Sequence, residues 1–447
     1  MAHRPHVVVV GSGAAGLGAA WQLSRRCRVT LVEADDRIGG HANTQRVDTP
    51  AGPVDVDTGF IVHNRTTYPQ LVRLFEELDV PTQRSDMTMS VSCAGCGLEY
   101  AGGAAAPILD AIRRRPSSFG LFREIRRFQV RASRDLETGI DPAMTLDDYA
   151  TSIGMSPRAR SHFLVPFTAA VWTAPPGAAL DMPADSILGF CQNHGILAGP
   201  RVRWRTVTGG STTYVQRLLG ELTRRDVTVL TSAPVSRIVR DADGDHPRVR
   251  VELAAGDVID ADHVVVATHP DQALPLLDAP TRIETDVLGP WRYTSSDTVL
   301  HTDARLLPRA RTARACWNYR LPSCDGHAGP PTLTYSMNRL QRFDAGGAEL
   351  LVSLNSTDAI DPDSILYRVQ YAHPQYDLAA RAAQQRVPEL HATSADTGTT
   401  YAGAWQANGF HEDAMASGIA AAEVALRVLV RHAVHPDDDV DRVGATA

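Results

Sequence analysis

At 447 residues the chain is long enough to bury a large core and to divide into two domains. Its 21% charged and 43% hydrophobic residues make an ordinary globular balance, and a net charge of −7 excludes bulk attraction to nucleic acid. No run reaches the roughly 18 apolar residues of a membrane-spanning helix, and all 44 basic residues are arginine, with no lysine at any position.

Val7–Val10 is a short β-branched run of the kind buried on both faces of a parallel sheet. Gly11, Gly13 and Gly16 follow at G-x-G-x-x-G spacing, and Ala14 to Leu23 continues as an apolar helix. In a dinucleotide site the first glycine permits the tight turn, the second lets backbone approach a pyrophosphate, and the third lets helix pack on strand. The N–H groups of Ser12 to Gly16, with Ala14 and Ala15 between, open the helix and present its positive end to an anion. A second strand, Val29–Val32, leads to Glu33, about 20 residues beyond the middle glycine, where a carboxylate accepts from a ribose diol. An acid here argues against a ribose 2′-phosphate. The apolar run after Arg4 belongs to this fingerprint rather than to a signal peptide, so a cytoplasmic protein is expected.

The segment Glu33-Ala34-x-x-Arg37-x-Gly39-Gly40-His41 resembles the FAD-binding signature of the flavin amine oxidase and phytoene desaturase superfamily. That resemblance implies FAD, with these residues along its diphosphate and ribityl chain. It also implies the fold: α/β, a Rossmann-type FAD-binding domain with an interleaved α+β substrate domain containing a mixed sheet. Division is expected at 1–83, 205–285 and 395–447 for the FAD-binding parts and at 84–204 (largely helical) and 286–394 (sheet) for the substrate parts.

Further along, residues 44–62 alternate about a turn at Ala51–Pro53, predicting a hairpin that feeds Asp57-Thr58-Gly59-Phe60. The superfamily passes such a segment beside the flavin ring, which implicates Thr58, Gly59 and Phe60. Tyr68–Leu78 has helical spacing. Cys93 and Cys96 form a lone C-x-x-C with no second pair at zinc spacing, so two ordinary thiols in a loop or hairpin are expected and no metal. In 105–135, Leu121, Phe122, Ile125 and Phe128 share one helical face amid many arginines, a pattern suited to an anionic membrane surface or to a core-packed helix with a solvated basic face.

Thr206–Leu219 reads as a turn into a helix, followed by a strand and by Val235, the position at which the superfamily offers backbone to adenine. His263 and His269 lack a companion at metal spacing and read as structural. Strands are expected near 296–301, 314–319, 332–337 and 349–354, with a Gly- and Pro-rich loop at 322–331. At the C-terminal end Gly403 and Ala404, then Phe410, His411 and Glu412 before a long helix, match the superfamily's second flavin motif.

GGHANT, DTGFIVHN, WRTVTGGSTTYV, VVVATHPDQAL, WNYRLP, SMNRLQ and GFHED together resemble the branch of predicted NAD/FAD-binding proteins associated with, or fused to, cyclopropane fatty acid synthases. This implies hydride transfer between flavin and an acyl lipid, in desaturation or reduction, with a cyclopropane-synthase-like methyltransferase as partner and membrane contact through 105–135. Amine oxidation with peroxide release is the alternative, as is a flavoprotein partner of a lipid methyltransferase. Against amine oxidation stands the missing lysine, which many flavin amine oxidases use to hold a water at the flavin. No fingerprint marks a site for NAD(P)H as electron donor, and no residue stands out as catalytic base.

Overall fold

The computed structural model describes residues 4–197, 202–241, 248–325 and 329–434. The chain divides into two units: residues 1–40, 216–290 and 383–447 form the first, and 41–215 with 291–382 the second. The stretch 41–83, grouped by sequence with the dinucleotide strands, thus lies in the second unit.

The first unit is built on five parallel strands in the order Thr228–Leu230, Arg28–Val32, His6–Val10, His263–Val266, Thr399–Tyr401. His6–Val10 is the central strand and is buried along its whole length, as its unbroken apolar run requires. Helices Ala14–Leu23 and His411–Val434 pack backbone to backbone: a Cβ on Gly418 would lie 1.9 Å from the Ala15 carbonyl oxygen, and one on Gly18 would lie 2.7 Å from Met415 Sδ. An antiparallel meander, Val235–Asp241, Arg248–Leu253 and Val258–Ala261, completes the unit. It is tied down by an ion pair in which Arg240 meets the fully buried Glu284 at 2.5 Å while the Tyr401 hydroxyl donates to the same carboxylate at 2.6 Å.

The second unit carries a seven-stranded mixed sheet in the order Ile365–Gln375, Arg292–His301, Leu351–Leu354, Thr332–Ser336, Trp317–Leu321, Met89–Cys93, Glu99–Ala101. Every pairing is antiparallel except that between Trp317–Leu321 and Met89–Cys93. The four strands expected from sequence are present; Ile365–Gln375 was not foreseen, because Leu366 on its exposed side blurs the apolar–polar alternation and Pro374 interrupts its end. The predicted hairpin forms as Thr44–Thr49 with Gly52–Asp57. Of the expected loop 322–331, residues 326–328 lie outside the described residues.

Helix Phe119–Thr138 turns its apolar stripe inward. Leu121 and Phe128 are buried, Phe122 meets Tyr100 edge to face at 5.2 Å, and Phe128 meets Phe163 at 5.7 Å. The stripe is core, and the exposed residues Arg123, Arg126 and Arg127 form the solvated face. Among the described residues no helix is long and apolar enough to cross a membrane.

Candidate functional site

In the first unit the glycine turn is held by its own strands. Gly11 takes φ +96° and donates to the Val32 carbonyl at 2.8 Å, and a Cβ there would approach the Ala267 oxygen to 2.8 Å. A Cβ on Gly16 would lie 1.8 Å from the Gly11 carbonyl oxygen, so the crossing of turn and helix tolerates no side chain. Gly13 differs: a Cβ there would meet nothing within 4 Å. It is the N-cap of helix Ala14–Leu23 and supplies no side-chain acceptor, so the first helical N–H groups, those of Ala14 and Ala15 included, have no side-chain cap.

Glu33 stands over this turn. Its Oε2 accepts from the Ser12 amide at 2.8 Å and from the Ser12 hydroxyl, and its Oε1 accepts from the Asp35 amide at 3.0 Å. The carboxylate is therefore oriented before any ligand arrives, with lone pairs remaining for a diol. The Gly39 amide donates to the Ser12 carbonyl at 3.2 Å, Arg37 donates to the Gly40 carbonyl at 2.8 Å, and the Gly40 Cβ position would lie 3.1 Å from Gly13 Cα. Ala34 is exposed beside Glu33, and Val235 opens the strand just beyond Ala233, whose amide donates to the Glu33 carbonyl at 2.9 Å.

The C-terminal motif is in the same unit. The Gly403 amide donates to Ser417 Oγ at 2.9 Å, Ala404 begins a single helical turn, and Phe410, His411 and Glu412 lead into the long helix. Sequence reasoning missed Asp413, which accepts from the Phe410 amide at 2.9 Å and the Asn408 amide at 3.1 Å and closes the helix start; burial raises its carboxyl to about 6. An acid two residues into a helix after a polar loop was the available signal.

In the second unit, the structure gathers His41, Thr58, Gly59 and Phe60. The Phe60 amide donates to the His41 carbonyl at 2.8 Å, and a Cβ on Gly59 would lie 2.2 Å from that oxygen. The unforeseen strand Ile365–Gln375 supplies Tyr371, whose ring stacks on His41 with centroids 4.5 Å apart. Its hydroxyl is met by Asn43 Nδ2 at 2.9 Å and Thr58 Oγ1 at 2.9 Å, and Asn43 also reaches the Tyr367 hydroxyl at 3.3 Å. His373, two residues on from Tyr371, lies edge-on to His41 at 5.6 Å. The period-2 spacing of Tyr367, Tyr371 and His373 was the signal available in the sequence.

Beneath this wall Asp57 is fully buried. Its carboxylate accepts from the Ser211 amide at 2.8 Å, Ser211 Oγ at 2.7 Å, Thr44 Oγ1 at 2.6 Å and Gln341 Nε2 at 3.0 Å. Burial pushes the carboxyl up to about 6 against these donors. The Gly210–Ser211 turn thus docks on the hairpin in this unit. His263 is buried in its strand, with Nε2 3.2 Å from Thr400 Oγ1, and His269 is the N-cap of helix Pro270–Leu276.

The family model for flavin containing amine oxidoreductases matches residues 14–372. The chain belongs to that family. Its cofactor is FAD, and the structure fits it: open space at Gly13, uncapped helical N–H groups for a diphosphate, and a carboxylate with spare lone pairs for a ribose. The chain is 40% identical over 82 residues to coproporphyrinogen III oxidase of Propionibacterium freudenreichii, a match covering 17% of this chain and 14% of that protein. It thus matches only about one-seventh of that curated relative's length. Among solved structures it resembles putrescine oxidase bound to putrescine, with a TM-score of 0.67 at 15% identity over 95% of this chain and 99% of the other. It also resembles cyclohexylamine oxidase from Brevibacterium oxydans, with a TM-score of 0.63 at 18% identity over 96% and 100%. These likenesses establish the α/β fold.

Proposed function

We propose that this flavoprotein takes a hydride from an uncharged, largely apolar substrate, an acyl lipid chain foremost. FAD supplies the two-electron acceptor or donor when bound. The observation that carries the reading is the wall around Tyr371. It consists of phenol, amide and hydroxyl groups hydrogen-bonded to one another, with the His41 ring stacked against them. Asp57, the nearby carboxylate, is committed to four donors. Two aromatic rings facing each other across a gap can hold an ammonium group. His41 and Tyr371 instead stack directly, at 4.5 Å, with no room for an amine between them. The chain also has no lysine with which to position a water.

On the same reading, Gly11 to Gly16, Glu33, Ala34, Arg37, Gly39, Gly40 and the Val235 backbone hold the adenosine diphosphate part of FAD. His41, Thr58, Gly59, Phe60, Gly403, Ala404, Phe410, His411 and Glu412 serve its ribityl and flavin part. A methyltransferase of the cyclopropane-synthase type is the proposed macromolecular partner. Membrane contact would be made by the side chains of Leu109 and Phe119, exposed at 63% and 59%, beside the exposed arginines of helix Phe119–Thr138.

The family match favours a second reading, oxidation of an amine. Anaerobic mixing separates the two. Purified protein is given phospholipids with unsaturated or methylene-bridged chains, then a panel of primary amines and amino acids, while flavin absorbance is followed. Bleaching by lipid alone is expected. Bleaching by an amine, with peroxide on readmitting air, would replace the lipid reading. Prior addition of NADPH and NADH shows whether nicotinamide loads the flavin, in which case the enzyme works as a reductase.

A further inference from the structure

The two cysteines of the lone C-x-x-C do not stand alone in space. Cys93, Cys96, His162 and Cys324 each place a ligand atom within 4.8 Å of all the others. Cys93 Sγ lies 3.9 Å from Cys324 Sγ, and Cys96 Sγ lies 3.5 Å from His162 Nε2. With Zn–S bonds of about 2.3 Å and Zn–N bonds of about 2.0 Å, a tetrahedral centre sets sulfurs about 3.8 Å apart and sulfur from nitrogen about 3.5 Å apart. The observed spacings match. We propose that Cys93, Cys96, His162 and Cys324 bind one zinc ion as a closed structural site in the second unit.

The surroundings are built for it. His162 is buried, and its Nδ1 is 2.8 Å from Ser161 Oγ; that hydroxyl donates to the Arg158 carbonyl at 3.3 Å and so can accept from Nδ1–H, the tautomer that leaves the Nε2 lone pair for a metal. The His162 carbonyl accepts from the Tyr100 hydroxyl at 2.7 Å, anchoring the π-helical turn Arg160–Leu164 that carries the ring. Such turns are rare and concentrate at functional positions. Cys93 ends a strand, and the Gly97 amide donates to its carbonyl at 2.8 Å, giving the tight knuckle from which both thiols of a C-x-x-C point to one side. Gly97 takes φ +69° there. A Cβ on Gly95 would come to 3.0 Å from the Cys324 amide nitrogen, so a side chain at position 95 would press Cys324 back from its present position. Arg115 donates to the Cys96 carbonyl, placing a positive charge beside a centre of net charge −1.

Four protein ligands leave no open position, which marks the site as structural rather than catalytic. It would fasten the edge hairpin Met89–Cys93/Glu99–Ala101 to the segment after strand Trp317–Leu321 and to the helical turn Arg160–Leu164. The ligands span 231 residues of sequence, which is why the spacing of Cys93 and Cys96 alone predicted ordinary thiols. The other two members of the cluster are brought to the pair by the fold rather than by sequence spacing.

The test is elemental analysis of the purified full-length holoprotein, with flavin content measured on the same sample. One zinc per chain is expected, retained through gel filtration, and lost in Cys96→Ser and Cys324→Ser while flavin content holds. Because a ligand variant can fail to fold, the wild-type protein is also grown with cobalt in place of zinc. Intense d–d bands to the red of the flavin absorption report tetrahedral thiolate coordination. Substoichiometric metal with no cobalt bands would overturn the proposal. So would a Cys93–Cys324 disulfide in the non-reduced peptide map, or immediate reaction of all three thiols with a disulfide reagent in the native protein.

Discussion

Replacing Glu33 by Gln removes a charge but almost no volume, and the structure says where the loss is felt. In the wild type both oxygens are acceptors: Oε2 takes the Ser12 amide at 2.8 Å and the Ser12 hydroxyl, and Oε1 takes the Asp35 amide at 3.0 Å. A glutamine must turn its NH2 group toward one of these amides, setting donor against donor, or rotate out of the position it holds for the ribose. A hydrogen bond to a charged group contributes about 1.5–3 kcal/mol. At about 1.4 kcal/mol per tenfold, Glu33→Gln weakens FAD binding roughly 10- to 100-fold. The assay is titration of deflavinated protein with FAD, read by quenching of flavin fluorescence, with far-UV circular dichroism to show that the fold is kept. A dissociation constant within about threefold of wild type would refute the assignment of Glu33 to the ribose, since a hydrogen bond to a carboxylate cannot be worth so little.

Two glycines of the fingerprint should fail in different ways. Gly16→Ala forces a Cβ to 1.8 Å from the Gly11 oxygen and should yield little folded protein, whereas Gly13→Ala meets nothing within 4 Å and should fold normally but bind FAD poorly; soluble yield and flavin content tell them apart. Arg240→Met leaves the fully buried Glu284 carboxylate without its guanidinium and should destabilise the first unit by about 3–5 kcal/mol, seen as a lower urea midpoint. Asp57 carries a pH signature. Its folded value near 6 exceeds the ordinary 3.8, so the folded state binds more protons than the unfolded one between those values, and the stability this gives is present below 3.8 and lost as pH rises through 6. The wild type should therefore lose up to about 3 kcal/mol relative to Asp57→Asn over that rise; urea midpoints of the two that run parallel across it would contradict this. Finally, acid-denatured protein should release all its flavin to the supernatant, as expected of FAD held without a covalent bond.

What the sequence determined by itself was local. The β-branched run, the glycine turn and the apolar helix after it are dictated within about 20 residues by backbone sterics and side-chain period, and Glu33 falls beside the glycine turn because a strand has a fixed rise per residue. The same holds for the hairpin ending at Asp57 and for the strands of the second unit whose apolar alternation is unbroken. The tertiary structure decided everything that depends on partners far apart in the chain. Whether the apolar stripe of Phe119–Thr138 faced a membrane or a core was settled by Tyr100 and Phe163. Tyr371 reaches Asn43 across 328 residues because the strand that bears it pairs along its length with Arg292–His301. Cys324 and His162 come to Cys93 and Cys96 by the same means. A sequence period records which way a side chain points along its own strand or helix, and carries no information about what stands opposite.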